Sequence, residues 1–536
     1  MAYLNSSPSA ADEYDVAIIG GALAGAATAI QILDTRPTLR ILIIERSEVF
    51  DRRVGEATIE LSTYFLTRVL GLGQHLNEHH YAKQGLRFWF ANEHARNLSE
   101  CSEIGGKYLA RLPAYLVDRA TLDTEALRLA VEKGALLWRP ATVKSVKLVS
   151  GGHQEIEVQQ GDVTQRIRAR WLVDASGVTA FLARHEGWHH VNEAHPTAAA
   201  WARWRGVEDW DSPKLAKKYP AWAAATFGLR NTATNHFMGN GWWAWWIPLK
   251  GGDVSIGLVW DQRRIEMPGG ASVAERIKQF LLLRHPVAAE MMADASAVEG
   301  DVHWRRNLPY FSTTMAGDGF ALVGDASGFL DPFYSPGLDW LGFTTARAAH
   351  LICEHRTGSP DTALLVANYN RDFTLSYHRW FHALYLNKYD YLGDFELMRI
   401  AFLLDLGLYY LGIVTQPYFR GREAMLEPYF ATPPATPFYH FMAFYARRLA
   451  AMGRERRTRG VFGKRNANRR FMFGGFSLKP TAVIPIVKAL CSWSWLELTE
   501  GWRTWKKHST ASKPASEPPA PAVAKESQAE VNLPAS

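Results

Sequence analysis

The stretch "YDVAIIGGALAG" (14–25) constrains this chain more than any other part of it. An apolar run ends at Gly20-Gly21, and an Ala-rich stretch runs on to Leu33. A second apolar run (40–45) ends at Glu45. Strand, tight turn, helix and strand within about 30 residues make a β-α-β unit. Such a turn aims backbone N–H groups from a helix N-terminus, where a pyrophosphate binds. Gly20 and Gly25 fit the first and third glycine positions of that turn. Ala22 stands at the second and brings a methyl group near the phosphates. Glu45, 25 residues after Gly20, is placed to bond ribose hydroxyls. Dinucleotide binding is the expectation; a tight turn in a fold that binds something else is the alternative.

Two further apolar runs, 170–177 and 319–328, each end in Asp-Ala-Ser-Gly. Between them, alternating segments such as 155–160 and 254–260 predict antiparallel strands. From about 340 onward the pattern turns helical and aromatic. From 509 it shifts to Ser, Pro, Ala, Lys and Glu, which predicts a disordered tail. The 47% of apolar residues allows a large core.

The net charge of +7 is concentrated. Between Arg447 and Arg470 lie ten Lys or Arg and one acid, Glu455. This run reads as a solvated basic loop, or as a surface for membrane lipid or an acidic partner. No nucleic-acid motif accompanies it. Cys101, Cys353 and Cys491 are too scattered for a disulfide framework or a zinc site, so no metal is expected and a reducing cytoplasm suits the chain. The first residues lack the pattern of a signal peptide. Two apolar stretches, 401–414 and 482–498, are too short or interrupted to span a bilayer. They are expected either to lie on a membrane or to be buried helices.

"GDASGFLDP" (324–332) narrows the choice of dinucleotide. With the Asp-Ala-Ser-Gly at 174–177 and the Asp-Arg at 118–119, it resembles FAD enzymes of the aromatic-hydroxylase type over residues 14–350. The resemblance implies an α/β, Rossmann-type FAD-binding fold with an interleaved antiparallel-sheet substrate domain, roughly 57–115 and 186–310. An extension (1–13) precedes it. A helical C-terminal region (351–508) and the tail (509–536) follow. It also implies that Gly20, Ala22, Gly25, Glu45, Gly55, Glu56, Arg119, Asp325, Pro332 and Gly337 surround the FAD.

"GWWAWWIPLK" (241–250) places four tryptophans within five positions. Trp243, Trp245, Ile247 and Pro248 resemble the Trp-x-Trp-x-Ile-Pro motif of flavin-dependent halogenases. In that family the motif walls the flavin off from the substrate, which prevents direct hydroxylation. Bulky packed rings suit a wall, because displacing them is costly. A plain hydrophobic strand is the competing reading. "YAKQGLRF" (81–88) resembles the family's lysine segment and makes Lys83 the candidate catalytic residue. It would hold hypohalous acid by hydrogen bond or as a haloamine. "RRVGEATIE" (52–60) resembles the family's segment beside the flavin, with Glu60 where Pro is usual.

Two departures qualify the resemblance. Tyr334 replaces a Glu found in the tryptophan-specific branch, which points to phenol or pyrrole substrates, free or carrier-bound. The halide would sit at Ser335 and Gly337, but Pro336 between them has no N–H. A hydrogen bond to an anion contributes roughly 1.5–3 kcal/mol, so halide affinity falls about tenfold or more unless another donor replaces it. Three readings stay open. The first is a halogenase served by a separate flavin reductase. The second is a flavin monooxygenase or dehydrogenase that uses no halide. The third is a flavin-binding accessory protein docked on a membrane or carrier.

Overall fold

The computed structural model describes residues 13–355, 360–479 and 483–505. The expected extension, apart from Glu13, and the expected tail lie outside the described residues.

The first β-α-β unit forms as its pattern predicts. The strand Glu13–Ile19 runs parallel to Ile41–Ile44, and the helix Leu23–Thr35 joins them. Both strands are almost wholly buried apolar residues, the composition of a sheet covered on both faces. Val163–Asp174 pairs with the other side of the first strand, and Phe320–Leu322 pairs beyond it, both parallel. Leu136–Trp138 closes the opposite edge. The two Asp-Ala-Ser-Gly turns therefore emerge at the carboxyl end of adjacent strands, where ligands bind in open α/β sheets.

A second, eight-stranded sheet is mostly antiparallel. Its order runs Ser296–Arg306, Thr197–Arg205, Val254–Asp261, Trp242–Pro248, Thr234–Gly239, Leu86–Phe90, Ser102–Gly106 and Arg470–Phe473. The last strand corrects the expectation of a purely helical C-terminal region. It joins the sheet edge parallel to Ser102–Gly106. Sequence pattern misses it because four residues are too few to show a period.

The Trp strand answers both readings of its sequence. Side chains alternate across a strand. Trp243, Trp245 and Ile247 enter the core shared with the α/β sheet, whereas Trp242 and Trp246 enter a separate core behind the second sheet. There Trp246 packs on Phe237 and Trp210, and Trp210 stacks on Trp89.

The C-terminal helices cover one flank of both sheets. Phe395–Leu426 is long and apolar enough to cross a membrane, but two-thirds of its most apolar window is buried within the protein. The basic run is not a loop. Much of it belongs to the helix Thr436–Thr458, and several of its guanidinium groups are internally paired. Arg456 is 5% exposed and binds Asp394 (2.7 Å), Glu396 (3.0 Å) and Glu500. Arg448 binds Glu497 at 2.6 Å, and Arg457 binds Asp390 at 2.7 Å. Arg454 pairs with Asp390, and Arg465 with Glu396. Acids distant in sequence pair with these five arginines, whereas Arg447, Arg459, Lys464 and Arg470 stay exposed.

Arg456→Met leaves three carboxylates facing a buried apolar group, so we expect a loss of about 3–5 kcal/mol. Thermal melting should drop by several degrees, whereas the exposed Arg447→Met should melt like the parent. An unchanged melting temperature in Arg456→Met would mean that the network contributes nothing.

Candidate active site

The turn after the first strand depends on its glycines. Gly20 has a φ of +98°, and a Cβ there would lie 2.6 Å from the carbonyl oxygen of Ala175. A Cβ on Gly25 would lie 1.9 Å from the carbonyl oxygen of Gly20. Only glycine fits at either place. Ala22 is the N-cap of the following helix, and no side chain caps that end. Its first-turn N–H groups therefore suit an anion. Glu45 accepts hydrogen bonds from the Gly21 N–H (2.7 Å) and the Ser47 N–H (2.8 Å), one on each oxygen. Each oxygen keeps a lone pair for a ribose hydroxyl. These features fit the ADP half of FAD.

The rest of the expected FAD contacts converge from separate elements. Asp325 lies in the short turn after Phe320–Leu322. Burial raises its carboxyl above the usual range, opposed by the positive charges of Arg119 and Arg305. Arg119 starts the helix Arg119–Glu132, is held by Asp123 at 3.0 Å, and donates to the carbonyl of Val54 at 3.2 Å. Gly55 has a φ of +94°, and a Cβ on it would lie 2.7 Å from the Arg119 guanidinium. Glu56 turns instead to Arg203 at 2.9 Å, and Arg203 reaches on to Asp118 at 2.7 Å. Glu56 thus ties the FAD region to the second sheet.

Lys83 follows a short strand, Tyr81–Ala82, and is 3% exposed. Its ammonium donates to the carbonyl of Thr58 at 2.8 Å. Burial lowers its pKa to about 8, and the charges of Glu60 and Asp339 pull the other way. Lys83 and Glu60 line a cavity of about 640 Å³. Tyr410 donates to Glu60 at 2.5 Å, and Tyr429 donates to Asp339. Burial raises Asp339 to about 7, against hydrogen bonds from Tyr429 and Ser62. Sequence reasoning treated Glu60 only as a departure and did not single out Asp339. Their one signal was an acid close to a motif, which is common on any surface.

His236 links the tryptophan strand to the surroundings of this lysine. The ring of Trp243 lies 5.5 Å from that of His236 and 5.1 Å from that of Phe333. Burial lowers His236 to about 3, and the charge of Lys83 adds to the effect. The indole of Trp243 donates to Tyr389 at 2.8 Å, and Tyr389 donates to Asp331 at 3.0 Å. His195 completes this buried set, 3.1 Å from the same oxygen of Asp331. The indole of Trp245 donates to Ser255 at 3.1 Å. Gly257 leaves room for the Trp245 ring, since a Cβ there would fall 2.0 Å from it. Ile247 and Pro248 are buried further along the same strand.

Pro332 to Gly337 form the loop between these parts. Tyr334 and Ser335 both adopt left-handed backbone, with φ of +68° and +57°. Such strain costs on the order of 1–3 kcal/mol per residue and persists only where the surroundings enforce it. The Ser335 N–H donates to the carbonyl of Pro332 at 3.0 Å. Pro336 caps the helix Gly337–Glu354 and lines the cavity. A Cβ built on Gly337 would meet nothing within 4 Å, so open space adjoins the helix start. Tyr334, in place of the Glu, donates to Asp405 at 3.1 Å.

A second buried lysine escaped sequence reading. Lys388 is 0% exposed and binds Asp405 at 2.6 Å. Asp405 raises its pKa against the effect of burial. Its charge is held in place, whereas burial lowers Lys83 to about 8.

Known proteins share this architecture. The structure of the halogenase PltM superposes with a TM-score of 0.71 at 19% identity, covering 90% of this chain and 97% of that one. The flavin-dependent brominase Bmp2 gives 0.60 at 21% identity, covering 82% of this chain and 100% of that one. At these identities the likeness establishes the fold. The flavin-dependent halogenase chlA of Dictyostelium discoideum is 26% identical over 367 residues, 61% of this chain and 58% of that protein. The chain thus spans less than two-thirds of that relative. A 1H-pyrrole-2-carbonyl-[peptidyl-carrier protein] chlorinase of Pseudomonas fluorescens is 24% identical over 356 residues, 63% of this chain and 75% of that one. The tryptophan halogenase family model matches residues 15–107 and 94–388. A family-model match over residues 15–388, most of the chain, makes this protein a member of the tryptophan halogenase family.

Proposed function

We propose that the protein is an FAD-dependent halogenase that acts on an electron-rich aromatic ring. The observation that carries this reading is Lys83. It is buried at the wall of a large apolar cavity, close to a tryptophan wall, with its pKa lowered to about 8. Bound reduced FAD, supplied by a separate reductase, would yield hypohalous acid from O2 and a halide. Gly20, Ala22, Gly25 and Glu45 would hold the ADP half. Gly55, Arg119, Asp325, Pro332 and Gly337 would surround the rest, with Glu56 bracing the segment from behind. Trp243, Trp245, Ile247 and Pro248 keep the aromatic substrate away from the flavin. The Lys83 ammonium would hold the oxidant by a hydrogen bond and protonate the hydroxide that leaves as the ring carbon takes the halogen; the proton that the ring then loses would return to the Lys83 amine, so that water is the other product.

The cavity is much larger than one phenol or pyrrole ring needs. It accommodates a ring with an apolar extension, free or tethered to a carrier, as in the name of the chlorinase relative. In this reading the protein works in the cytoplasm. The docking contact expected of 447–470 passes instead to the last helix, as argued below.

The halide-free monooxygenase is kept as a second reading because of the 332–337 loop. Pro336 offers no N–H, and the Ser335 N–H is committed to Pro332. The Ser335 hydroxyl and the Gly337 N–H are then the donors left to a halide.

Lys83→Met should abolish halogenated product while bound flavin and oxygen uptake persist. Mass spectrometry of products from phenols, indoles and pyrroles, with chloride or bromide, checks this; full halogenation by the variant would remove Lys83 from the mechanism.

If the ammonium form acts, turnover should fall as pH rises through about 8, since deprotonation removes the donor. Glu60 favours the charged form, so Glu60→Gln should move that falling limb to lower pH. A rate that rises through the same range would show that the neutral amine acts.

Pro336→Ser restores an N–H donor beside Gly337. It should lower the halide concentration for half-maximal rate by about tenfold, in line with one hydrogen bond to an anion. The parent should prefer bromide, whose hydration is easier to strip. Turnover independent of halide in both forms would establish the monooxygenase reading.

A further inference from the structure

The last described helix, Val483–Thr499, has an inner face that is accounted for and an outer face that is not. Ile486 and Ala489 are buried, and Ile486 packs toward Gly407. Outward, Ile484, Val487, Cys491, Trp495, Leu498 and Trp502 are all exposed. The first five follow one another at intervals of three or four residues, so they line one side of the helix, and Trp502 lies in the 3-10 turn just beyond it. Trp495 is 67% exposed and Leu498 69%. Trp505 continues the series. The helical part of this stripe is about 20 Å long at 1.5 Å per residue. A contiguous exposed apolar surface of this length marks a contact site.

The charges around the stripe are of one sign. Lys488 and Arg503 are exposed at its flanks. Of the acids nearby, Glu497 turns inward to Arg448, Glu500 to Arg456, and Glu396 to Arg456 and Arg465. Lys506 and Lys507 follow in the sequence. An apolar face with indole rings and basic flanks matches helices that lie in the boundary of an anionic bilayer. A second copy of the chain fits poorly. Paired across a two-fold axis, the helices would bring Lys488 against Arg503, and like charges repel. A protein partner fits less well too, because between its charged flanks the stripe offers few hydrogen-bonding groups for a polar rim.

The stripe also leads toward the cavity. Trp493 on this helix packs on Phe444 and Phe441 of the helix Thr436–Thr458. On that helix Phe438 lies one turn before Phe441 and Phe444 one turn after it; both are exposed, and Phe438 lines the cavity. A lipid surface against the stripe would therefore lie near an apolar opening.

We propose that the outer face of Val483–Thr499 and its extension docks the protein on an anionic lipid bilayer, with the cavity opening near the lipid. The docking is independent of the reaction. Only delivery of a lipophilic aromatic from the bilayer rests on the halogenase reading.

The test uses the full chain and vesicles of phosphatidylcholine, with or without phosphatidylglycerol. Cys101 and Cys353 are buried and Cys491 is exposed, so a polarity-sensitive fluorophore can be attached within the stripe. The parent should sediment with the anionic vesicles, and the fluorophore should shift to shorter wavelength. The combined Trp495→Ser, Leu498→Ser and Trp502→Ser variant should bind about tenfold or more weakly, because each lost side chain removes apolar burial. Its bound flavin and melting temperature should match the parent, since all three side chains face outward. A parent that stays in solution with anionic vesicles would overturn the proposal. So would equal sedimentation of the variant, or a parent dimer or carrier-protein complex that the variant dissolves.

Discussion

Asp331 is the buried charge on which the layout of the site depends. It is 0% exposed, and such a carboxylate must be hydrogen-bonded to be tolerated. Its Oδ1 accepts from the N–H of Phe333 and fixes the turn into the strained loop. Its Oδ2 accepts from Tyr389 on the C-terminal side and faces His195 on a loop before the second sheet. Tyr389 in turn accepts from Trp243. One carboxylate thus couples the loop before Gly337, the tryptophan wall and the helical region. Charge-assisted bonds of this kind are directional and stronger than neutral ones. They hold the wall at a set place beside the left-handed pair Tyr334 and Ser335.

The two buried lysines show how one residue type takes two roles. Lys388 has a carboxylate partner, Asp405, together with the rings of Phe333, Tyr334 and Tyr391 nearby. Its charge is compensated in place, and it braces the loop. Lys83 bonds only a carbonyl, while Glu60 and Asp339 act on it without a direct ion pair. Burial therefore wins in part, and its proton becomes exchangeable near neutral pH. That difference suits one lysine to structure and the other to chemistry.

Pattern and meaning separate in the C-terminal region. A dense basic run reads as a surface in one dimension. In three dimensions, Asp390, Asp394, Glu396 and Glu500 come from in or beside other helical segments and bind its arginines. The surface that stands out is apolar and lies on a helix whose sequence resembles any buried helix. Periodicity reports that a helix has faces, but which face the core covers depends on elements far away in the chain.

The sequence by itself determined the β-α-β unit, the dinucleotide turn and the family. Gly20, Gly25 and Glu45 act through local geometry, and a local turn is encoded locally. Lys83 and the Trp-x-Trp-x-Ile-Pro run were legible because short motifs carried them. Alternation along a strand then explains why Trp243 and Trp245 face one core and Trp242 and Trp246 another. Tertiary structure alone decided the remainder. The contacts of Asp331 with Tyr389 and His195, the acids beside Lys83, the pairing of Lys388 with Asp405, and the edge strand Arg470–Phe473 join residues that lie well apart in the sequence. Hydrogen bonds and desolvation act over a few ångströms of space, and only the folded chain brings such residues within that distance.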